Sequence, residues 1–185
     1  MTKIPFNELR IEILSEGIDL SGFNCSDHDL NDFLKEDALW YQTERLAVTR
    51  LVFFGDTLVG YFTIINDSLE AKAVQAGDGH DRFEARKYPA LKIARLATRD
   101  DYQRRGIGKG MLLKVFSIAI ALSRYTGCRI ITVDSKPNSV KFYQKFGFKP
   151  ANRKKRDTVP LYRDFHRAVE DSDRIEREIS EYVSE

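Results

Sequence analysis

Apolar and polar positions along this chain sort into strand-like and helical stretches. Residues 9–14 (Leu-Arg-Ile-Glu-Ile-Leu) alternate, as a half-buried strand does. Leu30, Phe33, Leu34, Ala38 and Tyr41 then recur at helical spacing, and Ser26 followed by Asp29 predicts a capping-box start to that helix. Residues 47–54 and 58–65 predict an antiparallel hairpin about Gly55-Asp56-Thr57. Residues 68–89 have weak periodicity; a short helix at their start and then a mobile acceptor-side loop are expected, with His80 a solvated loop residue. The run 91–97 predicts a buried strand, and Met111, Val115, Ile118, Ala119 and Leu122 place one stripe on a helix ending near Arg124. Residues 128–133 are β-branched and strand-like. Asn138 is expected to cap a helix over 139–145 that Gly147 closes. Residues 148–150 and 158–162 predict a last pair of strands. The order β-α-β-β-loop-β-α-β-α-β-β predicts an α/β fold: a mixed sheet with helices on its faces.

A chain of 185 residues, 42% hydrophobic and 31% charged, suits one globular domain with a real core. Cys25 and Cys128 have neither metal nor disulfide spacing, so they read as buried thiols in a reducing compartment. No apolar run reaches the length of about 18 residues that crosses a bilayer, and Met1-Thr2-Lys3 leads into no signal core. A cytoplasmic protein without membrane or metal sites is expected. Charge is uneven. From Asp164 to Glu185 there are eight acidic and three basic residues, a balance of −5; with +2 overall, the rest carries +7. Residues 1–163 are therefore expected to form the functional domain, and 164–185 an acidic helix with a thin apolar stripe (Phe165, Val169, Ile175, Ile179, Tyr182) docked on the domain or on a partner. Basic clusters at Arg104-Arg105-Lys109 and at 153–156 read either as solvated faces or as attractors for polyphosphate, whether a cofactor or RNA.

The stretch of chemical interest is Gln103-Arg104-Arg105-Gly106-Ile107-Gly108-Lys109-Gly110, set between a predicted strand and a predicted helix. Such a turn offers helix N-terminal N–H groups and the positive end of a helix dipole, which suit a phosphate or pyrophosphate. It is no dinucleotide fingerprint, because Met111 stands where the third glycine belongs. Nor is it a P-loop: Gln103 occupies the first glycine position and Gly110 follows Lys109. What remains is Q-x-x-G-x-G, given by Gln103, Gly106 and Gly108.

That pattern resembles the acyl-CoA pyrophosphate loop of the GNAT superfamily of N-acyltransferases. Residues 138–148, with Asn138, the Phe142-Tyr143 pair and Gly147-Phe148, are similar to a second GNAT segment. Residues 23–34 resemble the N-terminal signature of the GNAT branch that includes tRNA-acetylating toxins, and residues 94–97, Asp134 and Phe142-Tyr143 match that branch too. The likeness covers about residues 8–163; the acidic tail departs from it.

The resemblance implies the GNAT fold, a central mixed and mostly antiparallel sheet flanked by helices, and acetyl-CoA as the acetyl donor. By match, Leu96, Ala97 and Thr98 offer backbone to the pantetheine arm. Gln103, Arg104, Arg105, Gly106, Ile107, Gly108 and Lys109 hold the pyrophosphate, and Asn138 contacts the cofactor from the next helix. Tyr143 matches the family's general acid, a phenol with a pKa near 10 that suits protonation of a thiolate. On spacing alone Tyr143 is a packing aromatic beside Phe142 and Phe146. Residues 142 and 143 point to different sides of a helix, so that one packs while the other faces the cofactor.

No general base is evident: the strand before the loop carries Lys92 and Arg95 rather than a carboxylate, leaving Asp67, Glu70 or a water. Arg95 reads as a structural ion-pair partner or as an acceptor-phosphate contact, the structural role being favoured. The expected reaction is N-acetylation of a primary amine, the acceptor being the α-amine of an aminoacyl-tRNA. The alternatives are a small-molecule or protein amine, and a CoA-binding module without chemistry. An antitoxin and a homodimer are the partners this implies.

Overall fold

A computed structural model describes residues 2–80 and 86–165. Seven strands run in the order β1-β2-β3-β4-β5-β7-β6. They are β1 (Leu9–Ile13), β2 (Val48–Phe54), β3 (Thr57–Glu70), β4 (Lys87–Thr98), β5 (Ile130–Ser135), β6 (Lys149–Pro150) and β7 (Val159–Asp164). β1 with β2, β2 with β3, β5 with β7 and β6 with β7 pair antiparallel, whereas β4 and β5 pair parallel. The mixed, mostly antiparallel sheet is the expected one. Helices are α1 (His28–Asp32), α2 (Ala38–Thr43), α3 (Ile107–Ser123) and α4 (Val140–Gln144). No helix among the described residues is long and apolar enough to cross a membrane.

The described residues group into two compact units. The first holds residues 2–65 and 94–117. In its core Phe23, Leu34, Leu51 and Tyr61 are fully enclosed beside Leu14, Phe53 and Ala97. The Phe23 and Tyr61 rings meet edge to face at 5.4 Å, and the Tyr61 hydroxyl donates to Leu30 O at 2.6 Å. Between α1 and α2 the chain makes a π-helical turn, Phe33–Asp37, which buries both Phe33 and Leu34. Gly60, on β3, sits where a Cβ would lie 3.0 Å from Ala97 O and 3.2 Å from Ile107 Cγ2. A bare backbone there lets the end of β4 and the start of α3 close over β3.

The second unit holds residues 66–80, 86–93 and 118–165. Leu69, Ile130 and Tyr162 are enclosed in its core, with Ala73, Tyr88 and Ala90. The β4–β5 ladder pairs Ala90 with Ile130 through Ile93 with Val133 and goes no further.

Several sequence expectations are corrected. Ser26 makes no helix cap; Asp27 precedes α1, and the Ser26 hydroxyl donates to Asp100 Oδ2 at 2.6 Å instead. The predicted loop 68–89 is shorter, because β3 continues to Glu70 and β4 begins at Lys87. Among the described residues there, only the 3-10 turn Ala71–Ala73 is helical, and 75–79 is tethered rather than loose. Tyr162 Oη donates to Asp78 Oδ2 at 2.7 Å and accepts from Gln75 N, Lys149 binds Asp78 at 2.9 Å, and Gly79 N donates to Asp164 Oδ2 at 3.2 Å. Asn138 is not a cap. It lies inside the 3-10 turn Pro137–Ser139 and accepts from Ser139 Oγ at 3.2 Å. Asp164 is instead the last residue of β7, and Phe165 just past it donates its N–H to Arg129 O at 2.7 Å. The rest of the expected acidic helix, 166–185, lies outside the described residues.

Candidate active site

The glycine loop forms as the sequence predicts, between β4 and α3. A 3-10 turn at Asp100–Tyr102 leads into it. Arg104 then takes φ +61° and Gly106 φ +93°. Gly106 costs little there, whereas a left-handed Arg104 costs about 1 kcal/mol. Helix α3 begins at Ile107, and Gly110 N to Gly106 O (3.0 Å) is the first bond of its i→i−4 ladder. The N–H groups of 107–109 precede that bond and point out of the helix N-terminus.

Side chains around the turn set its charge. Gln103 does not reach toward the loop's centre; its Nε2 donates to Asp100 Oδ1 at 2.8 Å. Arg104 is exposed. Arg105 lies over the Tyr102 ring at 5.0 Å, opposite no acid, and its Nε is buried without a hydrogen-bond partner among the described residues. A buried, unsatisfied guanidinium N–H beside a helix N-terminus is a feature an anion would complete. Gly110 has a different purpose. A Cβ there would meet Phe6 Cδ2 at 2.9 Å, so this glycine seats the N-terminal segment on α3.

Leu96, Ala97 and Thr98 occupy the end of β4, with Ala97 buried and its neighbours half-buried. They lie past the last β5 partner, Ile93. Arg95 is held by the Phe33 ring at 4.8 Å and donates to Ala94 O at 2.8 Å. A ring face and a backbone carbonyl, rather than an acid, are its partners, and the residue is exposed.

In the second unit α4 carries Tyr143. Arg163 NH1 caps the helix end by donating to Phe146 O at 2.7 Å, and Gly147 turns the chain away with φ +76°. The Tyr143 ring packs edge to face on Phe142 (5.0 Å) and Phe148 (5.5 Å). Tyr143 is the buried member of the pair and Phe142 the half-exposed one. Burial drives the Tyr143 pKa well above its usual 10, so the phenol keeps its proton at every working pH. Its hydroxyl has no hydrogen-bond partner among the described residues. Asn138 is exposed on the same unit.

The carboxylates offered as bases are otherwise engaged. Asp67 Oδ2 accepts from Thr132 Oγ1 at 2.6 Å, and Oδ1 accepts from Ser68 N at 2.8 Å. Exposed Glu70 pairs with Lys72 at 3.0 Å, which holds its carboxyl below the ordinary range. His80 is exposed, as the sequence suggested.

Asp134 gathers three cations: Lys92 at 2.5 Å, Lys155 at 2.6 Å and Arg153 at 3.5 Å. Burial works to raise its pKa, but the Lys155 and Lys92 hydrogen bonds outweigh that and lower it. Half of the basic cluster at 153–156 is thus spent on Asp134, leaving Lys154 and Arg156 exposed. Both cysteines are free and buried, as expected, and burial pushes the Cys128 thiol up.

Sequence reasoning missed Ser26 and Asp100. The only local signal was that 23–34 formed a signature without an evident job. Its residues build the loop's support. Asn31 Oδ1 accepts Cys25 N at 2.9 Å, and Asn31 Nδ2 donates to Asn24 Oδ1 and Cys25 O. Asp100 N in turn donates to Asn24 O at 3.3 Å.

Known proteins share this fold. The chain is similar to a structure of AtaT complexed with acetyl-methionyl-tRNA, at 20% identity over 88% of this chain and 97% of that one, with a TM-score of 0.79. A KacT variant matches at 21% identity over 83% and 94%, TM-score 0.75. A protein described as a bacterial toxin matches at 16% identity over 92% and 97%, TM-score 0.81. The model of the acetyltransferase (GNAT) domain matches residues 53–150, from the end of β2 to β6. With more than half of its length matched in this way, the chain belongs to the GNAT family of acetyltransferases.

Proposed function

We propose that this GNAT acetyltransferase moves the acetyl group of acetyl-CoA onto the α-amine of an aminoacyl-tRNA, as a toxin that a cognate antitoxin neutralises. The donor follows from the family. Support for the acceptor is the likeness to AtaT, whose structure is a complex with acetyl-methionyl-tRNA, joined to a +7 balance outside the tail. The antitoxin rests on the likeness to AtaT bound to the C-terminus of AtaR. A charged-tRNA acceptor places the reaction in the cytoplasm.

The residues fit the donor. Arg105 Nε is an orphaned buried donor, Arg104 is an exposed cation, and Gly106 takes the left-handed turn that opens α3. The N–H groups of 107–109, with Arg104, Arg105 and Lys109, would hold the pyrophosphate, and Gln103, bound to Asp100, would steady the turn that leads into them. The open edge of Leu96, Ala97 and Thr98 would pair with the pantetheine amides, and Asn138 would add a polar contact.

Acetyl-CoA supplies an acetyl group activated as a thioester. In the transfer a C–N bond forms and the C–S bond breaks; the amine nitrogen gives one proton to water, and the departing sulfur takes one. Tyr143 Oη holds that proton, kept on the phenol by burial. Neither Asp67 nor Glu70 is left to take a proton from the amine, so the acceptor's own pKa matters.

Labelled acetyl-CoA offered to total aminoacylated tRNA and to a panel of free amines and peptides tests this. Label in the tRNA fraction is expected. Label only in small amines or peptides would replace the tRNA acceptor, and binding of acetyl-CoA without transfer to anything would leave a CoA-binding module.

A further inference from the structure

We infer that Ser26, Asp100 and Gln103 form a clasp through which the N-terminal segment positions the pyrophosphate loop, making Ser26 and Asp100 positioning residues for CoA. The inference rests on the reading of 103–109 as the pyrophosphate site.

An aspartate three residues before an anion-binding loop opposes its ligand less when protein hydrogen-bond donors solvate its carboxylate. Both Asp100 oxygens have such donors. Oδ1 accepts Ser26 N at 3.0 Å and Gln103 Nε2 at 2.8 Å, and Oδ2 accepts the Ser26 hydroxyl at 2.6 Å. Asp101 is paired with a cation: Arg99 binds it twice, Nε to Oδ1 at 2.8 Å and NH2 to Oδ2 at 2.9 Å. Arg105 is left facing the Tyr102 ring, and Arg104 is exposed.

The clasp also fixes geometry. Asp100 N donates to Asn24 O, Tyr102 N to Arg99 O and Gln103 N to Asp100 O, so the turn that ends at Gln103 is anchored to residues 24–26. From that anchor the chain must enter the left-handed positions at Arg104 and Gly106 in register. Asn31 keeps the anchor rigid by binding Asn24 and Cys25. The Ser26–Asp100 bonds lie at the surface, so their loss has little effect on stability. It takes from the Asp100 carboxylate a donor that steadies it and lets the loop wander.

Titration of the full chain with CoA and, separately, with pantetheine, which lacks the pyrophosphate, tests the clasp. Ser26→Ala is expected to weaken CoA roughly fivefold, the net worth of one hydrogen bond, and to leave pantetheine binding and the melting temperature unchanged. Ser26→Thr restores the hydroxyl and should restore CoA affinity. Asp100→Asn, which removes the charge but keeps an acceptor, should weaken CoA less than Asp100→Ala. Equal weakening of CoA and pantetheine, or no change for CoA, overturns the clasp. A wild-type chain that binds CoA no better than pantetheine overturns the pyrophosphate-loop reading beneath it.

Discussion

Replacing Tyr143 by Phe removes one oxygen and leaves the packing alone. The ring keeps its edge-to-face contacts with Phe142 at 5.0 Å and Phe148 at 5.5 Å. The hydroxyl donates to no described residue, so its loss orphans nothing. The expected change in stability is within about 0.5 kcal/mol, the range for substitutions that break no network. For a chain of 185 residues that shifts the melting temperature by roughly 2 °C at most. Chemistry responds differently. A positioned acid contributes about 10²–10⁴-fold, and at about 1.36 kcal/mol per decade the barrier rises by roughly 3–5 kcal/mol. Steady-state transfer of labelled acetyl, beside a thermal melt of the same preparation, checks both halves. The KM for acetyl-CoA should hold while kcat falls. A kcat within tenfold of wild type at an unchanged melting temperature refutes the assignment and returns Tyr143 to packing. Tyr143→Ala would not discriminate, because truncating a buried aromatic costs about 3–5 kcal/mol of stability.

Two further substitutions probe the frame around the site. Asp134→Asn strands Lys92 and Lys155 and should cost about 2 kcal/mol in urea unfolding at neutral pH. Because the folded Asp134 pKa is lowered, its stabilisation is fully present above the unfolded value near 3.9 and fades as pH falls through the folded value. The difference between wild type and variant should therefore begin to narrow near pH 4 and close only below the folded value; a difference that does not narrow as pH falls from 4 would show that charge is not its source. Gly60→Ala brings a Cβ to 3.0 Å from Ala97 O and should destabilise by about 1–3 kcal/mol, whereas Gly22→Ala, with nothing within 4 Å, should not. Equal melting temperatures for the two variants would refute the close approach.

Much of the fold was legible because its signals are local. The hairpin of β2 and β3 follows from two β-branched runs about Gly55-Asp56, and the glycine loop from residues adjacent in sequence. Tyr143 was reached only through the likeness to a known segment; its burial, which keeps the phenol protonated, has no periodic signature. What stayed hidden depends on distant partners. Ser26 looks like a cap because Ser before a helix usually is one, but Asp100, 74 residues away, takes its hydroxyl. The ends of β3 and β4 were lost because Asn66-Asp67-Ser68 is polar, and only Leu69 there is buried. Asp67 is explained by Thr132, another partner invisible along the chain. Arg153 and Lys155 looked like free cations because nothing local shows Asp134 between them.

The occupied carboxylates bear on which amine this chain accepts. Asp67 is taken up by the Thr132 hydroxyl and Ser68 N, and Glu70 is held low by Lys72, so both carboxylates offered as bases are engaged elsewhere. The amine must then arrive deprotonated. At pH 7.5 an α-amine with a pKa near 7.8 is about one-third neutral, while a Lys side chain near 10.4 is about 0.1% neutral. That ratio, roughly 250-fold, equals about 3 kcal/mol of barrier the enzyme need not supply for an α-amine. The Tyr143 phenol stays protonated across the same range, so its titration adds no falling limb near neutrality. Accordingly kcat/KM for the acceptor should rise with slope one up to about pH 8, then level off, tracking the amine alone. A second ionisation near pH 6 in that profile would reveal a protein base and would remove the preference for an α-amine. Glu70→Gln, which leaves Lys72 unpaired at the surface, should leave the profile where it is.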